Sequence, residues 1–238
     1  MKAVFLDYAT VSNGDLDASR LLRAVPGLQL LTATRQEDVG AQIAGHEVVL
    51  LNKLRLDRAL IAATPTLKLV ALAATGTNNV DLEAAREHGI AVCNIRDYCT
   101  PSVAQHVLGM VLALTHRSID YSRAAVDGTW ARSAQFTVLE WPIRELSDRV
   151  LGVVGWGVLG QAAARACERA LGMQVLVANR AGEPPQPGRV PLHELLPQVD
   201  VLTLHCPLTP ATNGLIGARE LALMKHDALI INTARAAR

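Results

Sequence analysis

The chain has 238 residues, half of them hydrophobic but only 3% aromatic, and carries a formal net charge of +1 from 23 basic and 22 acidic side chains. That balance builds no field to hold nucleic acid or an anionic membrane surface, so neither partner is expected. Four scattered cysteines with no C-x-x-C pair, and no histidine at metal-ligand spacing, argue against a disulfide scaffold or a metal site and read as reduced, mostly buried thiols. The amino terminus runs straight into a strand-like pattern without signal-peptide features, and the apolar run 107–114 is too short to span a bilayer. A soluble, cytoplasmic protein is expected.

From Lys2 onward, short apolar runs alternate with amphipathic ones. Residues 4–7, 28–32, 47–51, 67–73 and 90–93 read as strands, and 17–24, 36–44, 58–63 and 82–88 as helices, with Gly27, Gly45 and Gly89 placed as helix stops. Steady alternation of this kind predicts a parallel sheet covered on both faces. The first domain is therefore expected over residues 1–98. Thr100 followed by Pro101 has the form of a helix start, and the spacing predicts one long bridging helix running beyond Arg117. Residues 133–148 read as a loop, 182–191 as a proline-rich loop, and 199–204 and 228–233 as strands, separated by a helix around 218–224. A second domain is expected over 99–238, giving an α/β protein of two Rossmann-like, doubly wound parallel-sheet domains.

The most informative stretch is Val150-Leu-Gly-Val-Val-Gly-Trp-Gly-Val-Leu-Gly160. An apolar strand enters Gly155, Gly157 and Gly160, spaced G-x-G-x-x-G, and an alanine-rich helix over 161–170 and a strand over 174–178 follow. The first glycine permits a tight turn, the second allows close approach of a pyrophosphate, and the third lets helix and strand pack closely. The helix start then offers unpaired N–H groups and a positive dipole end to phosphate. Such a β-α-β unit points to a bound dinucleotide. After its second strand, Asn179-Arg180 stands where a carboxylate would bond the ribose of NAD, which favours NADP over NAD through a guanidinium-phosphate pair. The other reading is that Asn179 bonds a ribose hydroxyl and Arg180 is merely solvated.

Three further stretches, Ala73-Ala-Thr-Gly-Thr-Asn-Asn-Val-Asp81, Asn94 through Cys99-Thr-Pro-Ser-Val-Ala-Gln-His106, and Leu204-His-Cys-Pro-Leu-Thr-Pro210, join the glycine motif and Ile231-Asn-Thr-Ala-Arg235. Together, in this order, they resemble the D-isomer-specific 2-hydroxyacid dehydrogenase family, most closely its glycerate dehydrogenase (hydroxypyruvate reductase) branch. The resemblance implies that the first domain binds substrate, that the second binds coenzyme, and that the substrate lies between them. It implies Thr75, Gly76 and Thr77 as the turn that takes the substrate carboxylate; read from the residues, the same turn is a helix entry with Asp81 as cap. It implies Arg235 as the catalytic arginine, pairing with the carboxylate of a 2-oxo acid and polarising its carbonyl. Along the coenzyme it implies Gly155, Trp156, Gly157, Val158, Leu159, Gly160, Asn179 and Arg180, then His205, Cys206, Pro207, Thr233 and Ala234, with Thr100 and Val103 nearby. His205 has the pKa range of a general acid, but the resemblance implies that this position lines the coenzyme site. His106 reads as a helix-packing residue.

In the resembled family, glycine follows the catalytic arginine, and later strands and helices bring a Glu and a His that transfer the proton. Here Ala236-Ala-Arg238 ends the sequence, so the expectation is a second domain truncated at its carboxyl terminus. Proton donation would then fall to solvent, and positioned acid catalysis is worth about 10²–10⁴-fold. Two functions stay open: an NAD(P)-dependent dehydrogenase reducing a 2-oxo acid such as hydroxypyruvate or glyoxylate, or a catalytically silent dinucleotide-binding protein. The resemblance also implies a homodimer built through the coenzyme domain.

Overall fold

The computed structural model describes residues 1–234, which fall into two compact units, Met1–Tyr98 and a second beginning at Cys99. In the first unit the order is β1 (Ala3–Phe5), α1 (Ser19–Ala24), β2 (Gln29–Leu30), α2 (Val39–Ile43), β3 (Val48–Leu51), α3 (Arg58–Ala62), β4 (Leu69–Leu72), α4 (Leu82–Glu87) and β5 (Ala91–Cys93). The five strands are parallel in the order β2-β1-β3-β4-β5. Successive side chains of β1 go to opposite faces: Val4 and Leu6 join one buried cluster with Ile43 and Ile61, while Ala3 and Phe5 join another with Leu28 and Val48. Burial on both faces is the reason the central strands β1 and β3 read as unbroken apolar runs.

The carboxyl edge of this sheet is fixed by buried and half-buried polar groups. Asp7, just after β1, accepts the N–H groups of Asn52 at 2.9 Å and Lys53 at 2.7 Å. Asn79 Nδ2 donates to the carbonyls of Leu54 at 2.8 Å and Asn52 at 3.3 Å, tying the loop after β3 to the one after β4.

The second unit runs α5 (Thr100–Thr115), α6 (Ser118–Val126), β6 (Val150–Val154), α7 (Val158–Leu171), β7 (Gln174–Val177), α8 (Leu192–Leu195), β8 (Val201–Leu204), α9 (Ala218–Leu223) and β9 (Leu229–Asn232). Its parallel sheet is ordered β7-β6-β8-β9, and one parallel bridge, Ala178 to Val190, extends it beyond β7. The order thus reverses at β6, placing a crevice at the carboxyl ends of β6 and β8. On one face Leu151 and Val153 pack with Val107, Val111 and Ala163; on the other, Val154 packs with Leu195, Leu196 and Leu202. Gly152 lets α8 come close, since a Cβ there would stand 2.5 Å from Val199 Cγ1 and 2.8 Å from Leu195 Cδ2.

The helix expected to run from Thr100 past Arg117 is two helices. Arg117 adopts a left-handed conformation (φ 52°) between α5 and α6, and its Nε donates to Asp120 Oδ2 at 2.8 Å. Nor does Thr100 cap α5: Cys99 holds that place, and the Thr100 hydroxyl is buried without a partner among the described residues. The glycine-turn helix begins at Val158, three residues earlier than its alanine-rich part suggests. Cys167 alone is fully buried; Cys93 is exposed and Cys99 and Cys206 are partly so, against the expectation of mostly buried thiols. Among the described residues no helix is long and apolar enough to cross a membrane.

Candidate nucleotide site

Everything at this site follows from how β6 ends. Gly155 takes φ 97°, and a Cβ on it would lie 2.6 Å from the Cys206 nitrogen and 2.7 Å from the His205 carbonyl carbon. At Gly160, in the first turn of α7, a Cβ would run into the Gly155 carbonyl oxygen. The two glycines therefore let α7 start flush against β6 and let the end of β8 press on the turn. Gly157 differs: it precedes α7 in ordinary extended backbone, and a Cβ on it would meet nothing within 4 Å. Its missing side chain leaves open space at a helix start, where the first N–H groups have no partner within the helix.

That space belongs to a cavity of about 450 Å³ at the carboxyl ends of β6, β7 and β8. Of the residues the sequence singled out, Gly155, Trp156 and Gly157 line it from the first strand, Asn179 and Arg180 from the second, and His205, Cys206 and Pro207 from the third. Val158, Leu159 and Gly160 form the first turn of α7 behind it. Thr233 and Ala234 follow β9; the Thr233 hydroxyl reaches His205 Nδ1 at 3.3 Å. Thr100 and Val103, on α5, do not line the cavity, although Val103 packs in the same apolar cluster as Trp156. Arg235 lies outside the described residues.

The His205 ring is held on both sides, by the Thr203 hydroxyl at 2.9 Å from Nε2 and by Thr233 at Nδ1. Burial pushes its pKa down, so the imidazole is neutral over a wider range than usual, and burial likewise raises the neighbouring Cys206 thiol. With both nitrogens occupied, the ring forms part of the cavity wall. His106, by contrast, does not pack inside the helix layer; it is exposed on α5 beside Ser102, Gly109 and Met110.

Sequence reasoning missed Arg189, Leu192, Thr209 and Thr212, which also line the cavity. Thr212 shapes its far wall: its hydroxyl donates to the Pro207 carbonyl at 2.6 Å and accepts the Thr209 N–H at 2.8 Å. Two guanidinium groups, Arg180 and Arg189, stand in the lining, and no carboxylate does. A cavity at this edge, with a glycine cradle and cationic walls, fits a phosphate-bearing nucleotide. Among the described residues no group of three or more His, Cys, Asp or Glu is placed to hold a metal.

In the first unit, Thr75, Gly76 and Thr77 form the turn after β4. Asn94 Nδ2 donates to the Thr75 carbonyl at 2.6 Å, and the Ile95 N–H to that of Ala74 at 3.1 Å, so the turn is pinned from β5. Asp81 does cap α4, accepting the Ala84 N–H at 2.8 Å.

A doubly wound sheet with a glycine turn over such a cavity defines a Rossmann-type nucleotide-binding unit. The sequence pattern described as "D-isomer specific 2-hydroxyacid dehydrogenase, NAD binding domain" matches residues 108–238. Glycerate dehydrogenase of Methylorubrum extorquens is 42% identical over 199 residues, covering 84% of this chain and 62% of that protein. Hydroxypyruvate reductase of Blautia hydrogenotrophica is 34% identical over 241 residues, covering 99% of this chain and 74% of that one. D-Lactate dehydrogenase from Aquifex aeolicus, solved in complex with NAD and lactic acid, superposes with a TM-score of 0.81 at 28% identity, over 98% of this chain and 69% of that one. The chain belongs to the D-isomer-specific 2-hydroxyacid dehydrogenase family. It spans less than two thirds of the length of the glycerate dehydrogenase it matches.

Proposed function

We propose that this protein is an NAD(P)-dependent 2-hydroxyacid dehydrogenase that reduces a 2-oxo acid, such as hydroxypyruvate or glyoxylate, to the D-2-hydroxy acid. The observation that carries the reading is the cavity itself: Gly155, Gly157 and Gly160 open a phosphate cradle where three strands of one parallel sheet end. The names of the relatives supply the substrate class. When bound, the cofactor supplies a hydride to the carbonyl carbon of the acid, and a proton taken up at the carbonyl oxygen completes the hydroxyl group.

The chain's own residues hold and orient. Gly157 and the first turn of α7 take the pyrophosphate, and the neutral ring of His205, fixed by Thr203 and Thr233, walls the cavity. In the first unit, which acts as the substrate domain, the turn Thr75-Gly76-Thr77 takes the substrate carboxylate. Arg235 pairs with that carboxylate and draws charge onto the carbonyl oxygen as it develops. The Arg189 guanidinium, which lines the cavity and pairs with no carboxylate among the described residues, favours NADP(H) over NAD(H). A homodimer built through the coenzyme unit completes the proposal, supported by the apolar segment after α6, where Phe136 is 93% and Leu139 78% exposed.

The test is oxidation of NADPH and NADH by the purified protein with hydroxypyruvate and with glyoxylate, beside an Arg235→Ala variant. The proposal expects turnover that the variant loses. Nucleotide consumption independent of Arg235, or of the added acid, contradicts it. Sedimentation that finds only monomer contradicts the dimer.

A further inference from the structure

The two arginines of the nucleotide cavity stand in opposite surroundings. Arg180 is exposed and already engaged: its Nη1 lies 2.8 Å from Glu183 Oε1, and the other oxygen of that carboxylate accepts from Gln186 Nε2 at 2.8 Å. Asn179 is engaged as well. Its Oδ1 accepts the Gln186 N–H at 3.1 Å, and its Nδ2 donates to the carbonyls of Glu183 at 3.0 Å and Pro184 at 3.2 Å. Both side chains that follow β7, where sequence logic puts ribose recognition, are spent on closing their own loop.

Arg189 lies at the other end of that loop. It follows Gly188, which turns the chain at φ 72°, and it precedes Val190, whose N–H donates to the Val177 carbonyl while its own carbonyl accepts the Asn179 N–H, each at 2.8 Å. The backbone on either side of Arg189 is thus fixed, on one side by the sheet bridge and on the other by its own N–H to the Gln186 carbonyl at 3.1 Å. The side chain is half-buried, lines the cavity, and makes no hydrogen bond or ion pair with another described residue. A guanidinium on a fixed backbone, with no internal carboxylate to satisfy it, has its charge and its fork of donors ready for a ligand anion.

We infer that Arg189, rather than Arg180, is the specificity-determining residue that holds the 2′-phosphate of NADP(H), with Glu183 acting as a tethered competitor that keeps Arg180 from sharing the load. The inference rests on the NADP(H) reading above and names the residue that carries it. Removing the carboxylate frees Arg180 to join Arg189, and because the Arg180–Glu183 pair is exposed the gain is small.

The experiment is titration of NADPH and NADH, followed by cofactor fluorescence, on the whole protein and on Arg189→Ala, Arg180→Ala and Glu183→Gln. Thermal melts alongside verify that each variant is folded. Arg189→Ala is expected to weaken NADPH by at least about tenfold, the scale of a lost charge-assisted contact, and NADH by less than about threefold. Arg180→Ala is expected to cost NADPH less than Arg189→Ala does, and Glu183→Gln to tighten NADPH a few-fold while leaving NADH unchanged. Equal losses of both nucleotides in Arg189→Ala, or a larger NADPH loss in Arg180→Ala, would overturn the inference. A wild-type protein that binds NADH and not NADPH overturns it while leaving the dehydrogenase reading intact; one that binds neither overturns both.

Discussion

Gly160 stands so close to Gly155 that no side chain fits between them: a Cβ on residue 160 would overlap the Gly155 carbonyl oxygen and lie 3.2 Å from its carbon. This contact seats α7 on β6 and fixes where the helix start points. Gly160→Ala should therefore push the turn apart, with the cost typical of overpacking, about 1–3 kcal/mol. Gly155→Ala should cost as much, because it adds a left-handed residue to a clash with the end of β8. Urea midpoints of the two variants check this, and an unchanged midpoint would mean the turn relaxes freely.

His205 predicts a pH dependence. Burial lowers its pKa below the ordinary 6.5, so the unfolded chain takes up a proton before the folded one does. Its contribution to stability is whole above about pH 6.5 and is lost as pH falls from there through the lower folded value. Melting temperatures measured from neutral to mildly acid pH should decline in that window, before carboxylates titrate. His205→Asn should flatten the decline; an identical slope in the variant would show that this ring is not the group responsible.

Asp200 ties three segments of the coenzyme sheet together. It accepts the N–H of Val150, the first residue of β6, at 2.8 Å and Lys225 Nζ at 2.9 Å, with Arg149 Nη1 3.9 Å away. Burial raises its carboxyl pKa, but the Val150 N–H and Lys225 outweigh it, and the net shift is below the usual 3.8. The stability it adds is accordingly present above that value and lost as pH falls through the folded pKa. Asp200→Ala, which strands the Val150 N–H, should cost about 1–3 kcal/mol in denaturant unfolding. Lys225→Ala should cost no more than about 1 kcal/mol. Equal effects would mean that the ion pair, and not the backbone contact, carries the stabilisation.

The central strands of both sheets are legible in the sequence because they are buried on two faces, as Ala3 to Leu6 and Leu151 to Val154 are, and apolar runs of that kind stand out. The glycine turn is legible because each glycine answers a separate steric demand. The break at Arg117 is not, since a left-handed arginine carries neither of the usual helix-ending signals, Gly or Pro. Arg189 sits in a proline- and glycine-rich run that reads as a loop, and only the bridge between Val190 and Ala178 brings it to the cavity that Gly155 lines. The clamp on His205 joins Thr203 of β8 to Thr233 just after β9, a pairing that strand order decides and local pattern does not.

The most direct test of the account is the affinity of a Gly157→Val variant for NADPH. Nothing lies within 4 Å of a Cβ at that position, so the variant should fold, losing no more than about 1 kcal/mol from a poorer helix cap. If the space above Gly157 receives the pyrophosphate, titration should show NADPH affinity reduced at least about tenfold, as expected when a charge-assisted contact is lost. Unchanged affinity in a folded variant would mean that the nucleotide does not lie over this turn, and the reading of the cavity as the coenzyme site would be wrong.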